Sequence, residues 1–275
     1  AGLLLPSDGE RDNQRDIPNE EVVSEIPDED IGIVQNALGI LSIPRVRYLF
    51  IASFFRFCSG LMIGVWAAPY YKQAFPDNAA EYAVVNAFIV GGLGMSSGIL
   101  GGYIADGLGT WIKETKEESS SSSIIIHNNF DEQTIRLLLP IVGSILAIPA
   151  WYLTTHTTST ANAFEITMAW LAIEYLVAEC WFGPTITVLQ STVGASRRGT
   201  AQGMFVLTGA LGNFAPSVLG WIYGNQLSGS LNSSSEVLAN LLAWGVCSGY
   251  ALSSLFFIVS VRSSSESVDV TMKEQ

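Results

Sequence analysis

Six stretches of the chain are apolar almost without interruption: residues 48–71, 83–105, 137–155, 166–194, 200–222 and 237–261. Each meets the length of about 20 residues that a helix needs to cross a bilayer core. Arg56, Glu174 and Glu179 are the only charged residues inside them. The connecting segments are polar. Residues 107–131 run from Lys113-Glu114-Thr115-Lys116-Glu117-Glu118 into serines 119–123 and read as a flexible, low-complexity loop. Residues 156–165 and 223–236 are rich in Ser, Thr and Asn. Residues 31–43, ending before Pro44, read as a short amphipathic helix along a membrane surface. The pattern predicts an all-α membrane protein. It has an acidic, largely disordered cytoplasmic segment over 1–46, a six-helix transmembrane domain over 47–262 and a cytoplasmic tail over 263–275.

Composition narrows the class. The chain is 49% apolar and 14% charged, with a mean hydropathy of +0.36, where soluble domains carry about 25% charged residues. That argues against a soluble enzyme, a disordered protein and a nucleic-acid binder. The net charge of −12 belongs mostly to one end. Residues 1–30 hold Asp8, Glu10, Asp12, Asp16, Glu20, Glu21, Glu25, Asp28, Glu29 and Asp30 against Arg11 and Arg15. The rest is close to neutral, and no basic patch exists to grip phosphates, so no nucleic-acid partner is expected. Cys58, Cys180 and Cys247 are far apart in apolar runs. They read as small buried residues, and no metal or cofactor is expected. Residue 1 is Ala, which suggests a processed chain or a piece of a longer one.

Basic residues orient the spans. Arg45, Arg47, Lys113, Lys116, Arg136, Arg197, Arg198, Arg262 and Lys273 fall on the side that holds both termini; Lys72 stands alone on the other. Both termini are therefore expected in the cytoplasm, in a membrane the sequence does not specify. The spans also repeat in threes. The first of each triplet carries charge, the second is rich in glycine and the third is apolar and uncharged. An odd number of spans per unit makes this a 3+3 inverted repeat, an arrangement of secondary transporters. Gly94, Gly98 and Gly102 make a stripe on span two where another backbone can approach closely. Pro69, Pro140, Pro149, Pro184 and Pro216 lie within spans and can kink them.

The end of span two reads Gly102-Tyr103-Ile104-Ala105-Asp106-Gly107-Leu108-Gly109. It resembles the major facilitator superfamily motif G-x-x-x-D-(R/K)-x-G-(R/K)-(R/K), with Gly107, Thr110 and Trp111 in the usual basic positions. The run from Arg56 to Tyr71 looks like the seventh helix of spinster-like members, and Arg198-Gly199-Thr200-Ala201-Gln202-Gly203 is similar to theirs as well. The resemblance covers roughly residues 31–262. It implies the C-terminal half, helices seven to twelve, of a twelve-span transporter. The partners implied are membrane lipids, the missing N-terminal six-helix half or a second copy, and a small organic or lipid-like (lysolipid or sphingolipid) solute. In that family helices seven and ten line the cavity, while eight and eleven meet the other half.

Buried charge in a membrane is usually paired or functional. Arg56 and Glu174 are expected at similar depth, as a salt bridge that opens with substrate or proton binding. Glu179, five residues from Glu174 and about 140° round the helix, is a further substrate or proton-coupling candidate. Asp106 reads as a charge at a helix C-terminus that needs a partner, and Arg197 or Arg198 is expected to latch it as a cytoplasmic gate. Asn86, Gln190, Gln202 and Asn213 lie within or close to spans, where they either bind substrate or bond neighbouring helices. His127 and His156 read as solvated loop residues, and Asn232-Ser233-Ser234 as a glycosylation sequon.

Rival classes fit less well. Gly94-Met95-Ser96-Ser97-Gly98 matches a serine-hydrolase elbow formally, but it lies in an apolar helix with no histidine inside a span, so no catalytic residue is expected. No selectivity filter or charged ring suggests a channel. The alternative that remains is a non-transporting six-span scaffold or receptor-like protein, which leaves the buried charges without a use.

Overall fold

The computed structural model describes residues 32–119, 132–158, 162–227 and 233–273. The chain divides into Ala1–Gly32 and Ile33–Gln275, and the helices belong to the second unit. The acidic run over 8–30, His127 and Asn232 lie outside the described residues.

Every described element is helical. A short helix, Ile33–Ser42, precedes six spans: span one Pro44–Ala74, span two Pro76–Trp111, span three Gln133–His156, span four Ala163–Thr192, span five Ala195–Leu227 and span six Ser234–Ser263. Each span overruns its apolar stretch at one end or both. The hydropathy pattern registers only the hydrocarbon core, whereas helical hydrogen bonding continues through the polar turns at the interface. At 1.5 Å per residue, every span exceeds the roughly 30 Å hydrocarbon core, and all but span three reach the roughly 40–45 Å of a bilayer with its headgroups. Proline sets two starts. Pro44 stands at the first turn of span one behind extended Ile43, which separates it from the Ile33–Ser42 helix. Pro76 opens the turn that leads into span two. The helix of span two continues to Ser119, so Gly107–Ser119, expected as loop, is helical. The last helix runs on to Lys273, beyond the bilayer-length segment.

Packing repeats across the two triplets. Span one lies against spans five and six, span four against spans two and three, and span three against span six. Exchanging the triplets turns the pairings of span one into those of span four and leaves the pairing of spans three and six unchanged, as a 3+3 repeat requires. The chain is an integral, multi-pass, all-α membrane protein with six spans in a 3+3 arrangement.

Two apolar clusters fill the interior. One holds Cys58, Met62, Tyr70, Trp151, Leu171, Leu242 and Tyr250. The other holds Leu49, Phe50, Leu137, Trp181, Leu189, Phe205 and Phe257. Spans one, three, four, five and six each pass through both; Arg56 and Glu179 sit where spans one and four cross between them, and Glu174 lies within the first. The tightest approaches of two backbones are not on the Gly94–Gly98–Gly102 stripe; a Cβ on Gly143 would stand 2.4 Å from Val177 O. A Cβ on Gly101 would stand 2.6 Å from the carbonyl oxygen of Cys180 and 2.7 Å from its Cα. Only glycine fits there. On the stripe, Gly94 faces the Tyr175 ring, Gly98 lies near Glu179 O, and a Cβ on Gly102 would meet nothing within 4 Å.

Candidate functional site

Span four carries the centre of the site because it is broken there. It is α-helical over Ala163–Ala178, tightens to a 3-10 turn over Glu179–Trp181, and resumes over Phe182–Thr192. Pro184 accounts for the break. It has no N–H to offer the Cys180 carbonyl four residues back, and its ring crowds that oxygen. Carbonyls beside such a break need other donors. Ser97 Oγ, from span two, donates to Leu176 O at 2.6 Å, and Arg56 Nη2, from span one, donates to Ala178 O at 2.8 Å.

Arg56 is buried, and it does not pair with Glu174 as expected. Its Nη2 also donates to Glu179 Oε1 at 3.1 Å. The guanidinium carbon lies 4.8 Å from the Tyr250 ring centroid and 5.4 Å from that of Trp181, so two aromatic rings flank the cation. Gly60 leaves room for Nη1: a Cβ there would stand 3.3 Å away. Arg56 Nε has no hydrogen-bond partner among the described residues. Glu174 is equally buried and accepts a hydrogen bond from Tyr250 Oη. Arg56 is thus linked to Glu174 through Tyr250, which contacts both. The reason for the swap is local. Arg56 reaches the exposed end of the broken helix, where Ala178 O and the Glu179 carboxylate are presented together, while Glu174 lies one turn earlier and faces span six. Glu179 keeps about a third of its side-chain surface exposed, whereas Arg56 is at 1%. The site is a line of four groups, Glu179–Arg56–Tyr250–Glu174, drawn from spans one, four and six.

Tyr250, Trp181 and Ser97 belong to the site, yet the sequence does not single them out. Tyr250 and Trp181 read there as ordinary apolar residues, and Ser97 as part of a hydrolase-like motif. The signal that points to them is Pro184, which marks where span four must expose carbonyls.

At the opposite end of the charge pattern, Asp106 accepts a hydrogen bond from Arg136, at the start of span three, and not from Arg197 or Arg198. The helix does not stop at Asp106, so the residue is not at a C-terminus. Arg198 Nε donates to Gln190 O at 3.1 Å, and Arg197 lies over Gly39 of the first short helix. Both arginines are therefore engaged within the linker between spans four and five and its neighbours. Of the polar span residues, Gln190 donates to Gln202 at 3.4 Å, tying span four to span five, and Asn213 Nδ2 donates to Gly209 O within its own helix at 3.4 Å. His156 is not a loop residue; it ends span three. Among the described residues no group of three or more His, Cys, Asp or Glu is placed to hold a metal, and Cys58, Cys180 and Cys247 are free thiols.

No family model matches the sequence, and no curated protein matches it. Among solved structures, the chain is similar to a bacterial homolog of the human lysosomal transporter spinster, in an inward-facing and unoccupied conformation. The TM-score is 0.55 at 16% sequence identity, over 98% of this chain and 55% of that one. The chain spans about half the length of that protein. At this identity the likeness establishes the fold.

Proposed function

We propose that the chain is the C-terminal half of a secondary active transporter that moves a small organic or lipid-like solute by alternating access. The observation that carries the proposal is the Glu179–Arg56–Tyr250–Glu174 line, buried except at Glu179, within a half major facilitator fold. A fully buried guanidinium and a fully buried carboxylate, beside a second carboxylate that keeps about a third of its surface exposed, are costly to hold among apolar clusters without a use. They also have a chemistry that suits coupling. With both carboxylates ionised the group is one negative charge in excess, and one proton balances it. Glu174 and Glu179 are the proton-coupling candidates, and Arg56 is the group that answers to an anionic solute headgroup or to the proton.

Transport on this reading needs a second six-helix half. Spans two and five are the surfaces for it. Only 11% and 22% of their most apolar stretches are buried within this chain, against 50% for spans one and three. Span two also exposes Gly91, Gly92 and Gly102 with open space above them, which permits close backbone approach. The partner is an N-terminal half or a second copy, and lipid covers the remaining faces. Asp106 with Arg136 is the cytoplasmic gate contact in this reading, and both termini lie in the cytoplasm, a placement the distribution of basic residues supports.

The test begins with the native transcript, which fixes whether six further spans precede Ala1. Its full product is then reconstituted in vesicles and assayed for uptake of fluorescent lysolipid under an imposed pH gradient. The proposal expects gradient-driven uptake that R56M and E174Q abolish while the proteins remain folded. A folded, reconstituted product without uptake of lysolipid or of a panel of small organic anions and cations would favour the scaffold reading.

A further inference from the structure

The end of the molecule away from Asp106 and Arg136 holds a cavity of about 220 Å³, whose polar lining includes Tyr70, His156, Ser235, Glu236 and Asn240. It lies where span three ends, span six begins and span one closes. His156 is the last residue of span three, and both of its ring nitrogens face oxygen. Nδ1 is 3.1 Å from Tyr152 O and 2.9 Å from Thr155 Oγ1. The Thr155 hydroxyl proton is already directed at Trp151 O and Tyr152 O, at 3.3 and 3.1 Å, which leaves its lone pairs for Nδ1. Nε2 is 3.3 Å from Asn240 Oδ1 on span six. The Tyr152 ring stacks on the imidazole with centroids 4.2 Å apart.

A neutral imidazole has one N–H and an imidazolium has two. Only the imidazolium donates on both sides at once, to span three and to span six. The position also suits a cation, at the C-terminal end of a helix. The titratable groups around the cavity are Glu236 on span six, Tyr70 on span one and Tyr152 on span three itself. Among the described lining residues none is Lys or Arg, and the sequence over 159–161 and 228–232 has no titratable side chain.

We propose that His156 is a proton-binding site that latches span three to span six: protonated, it bridges Tyr152 O and Asn240 Oδ1, and on losing the proton it releases one of them. The latch is engaged while both ring nitrogens carry a proton and opens when one proton is lost. It does not depend on what the protein carries.

The experiment uses the full chain in detergent with the substitution S235C on the cavity wall, labelled by a membrane-impermeant maleimide between pH 5.5 and 8. The native cysteines are corrected for with the parent chain. The reference at each pH is the same chain carrying H156Q, which cancels the pH dependence of the thiol chemistry. Labelling relative to that reference is expected to rise about tenfold from the low to the high end, the worth of one hydrogen bond to a charged group. H156K, which keeps a cationic donor, is expected to hold the cavity closed throughout. N240D, a fixed acceptor, is expected to move opening to higher pH. A ratio that stays flat with pH, with H156K labelling like H156Q, would overturn the proposal, because Asn240 would then be donating its amide to a neutral imidazole. Should H156K fail to fold, the shift or constancy under N240D decides between the same two outcomes.

Discussion

Spans one and two differ in what their small residues do. Span one runs through the interior, packs on spans five and six, and buries half of its most apolar stretch. Its small residues make room for this chain's own groups: Gly60 faces Arg56 Nη1, and Ser59 Oγ donates to Val246 O on span six at 3.1 Å. Span two lies at the edge. Its α-helix gives way to a π-turn over Ile89–Gly94, and neighbouring glycines further along it have opposite surroundings. Gly101 is pressed against the Cys180 backbone, while Gly102 leaves open space for a side chain of its own. Glycine content alone therefore does not tell an internal contact from a surface kept for another molecule. The partner atoms do.

That comparison breaks most sharply at this pair. G101L places a side chain where Cys180 backbone already stands, and neither backbone can yield cheaply. It is expected to cost about 3 kcal/mol, at the upper end of overpacking, and to appear as aggregation or early melting on size exclusion and thermal scans. G102L is expected to melt within about 0.5 kcal/mol of the parent, as surface changes do, and on the transport reading to lose association with the second half. Equal losses of stability in the two variants would mean that the Gly102 face is also internal.

The next largest effect is at the site. R56M removes the only cation of the buried line and strips Ala178 O and Glu179 of a donor. Because Glu179 keeps some solvent, the cost is expected near the lower end for a broken buried pair, about 3 kcal/mol or somewhat less. E179Q retains an acceptor oxygen for Arg56 and is expected to cost less than R56M; a melting series ranks the two. S97A comes after these. It removes one neutral hydrogen bond to Leu176 O, worth about 1 kcal/mol, and its loss is expected to depend on the span-four break. In a P184A background the released N–H satisfies a carbonyl near by, and the S97A cost should shrink. Strict additivity of S97A and P184A would show that the break and the serine are independent.

Much of this architecture is legible in the chain. All six spans are, because a run of apolar residues with three charges has few ways to be soluble. The triplet repeat is also legible, since charge and glycine recur at equivalent places. Partner choice is not. Placing Arg56 opposite Glu174 treats span four as a regular helix, and on a regular helix Glu179 points away. Pro184 changes that geometry from four residues downstream of the carbonyl it crowds, so the pairing follows from a backbone defect and not from depth. Asp106 shows the same limit. Arg197, Arg198 and Arg136 all lie on the side that its position suggests, and sequence separation gives no reason to prefer Arg136. What decides is that span two extends past Asp106 to Ser119 and brings it beside the start of span three. His156 reads as a loop residue because its neighbours are threonines, yet those hydroxyls bond back to span three and extend the helix around it.

The smallest expected effect concerns that outer contact of span two. Asp106 keeps 64% of its side-chain surface exposed while Arg136 keeps 15%, so solvent and salt screen the pair and the stability at stake is about 0.5 kcal/mol. D106N and R136Q should each melt close to the parent, and the double variant should lose no more than either alone, since both remove one interaction. Neither should couple to R197Q or R198Q, whose partners lie elsewhere. Function is where the contact can show. If Asp106–Arg136 closes a path on the cytoplasmic side, D106N changes the rate of uptake by more than its melting shift accounts for, and raised salt reproduces the change in the parent. If uptake follows stability alone, the Asp106–Arg136 contact at the end of span two carries no gate.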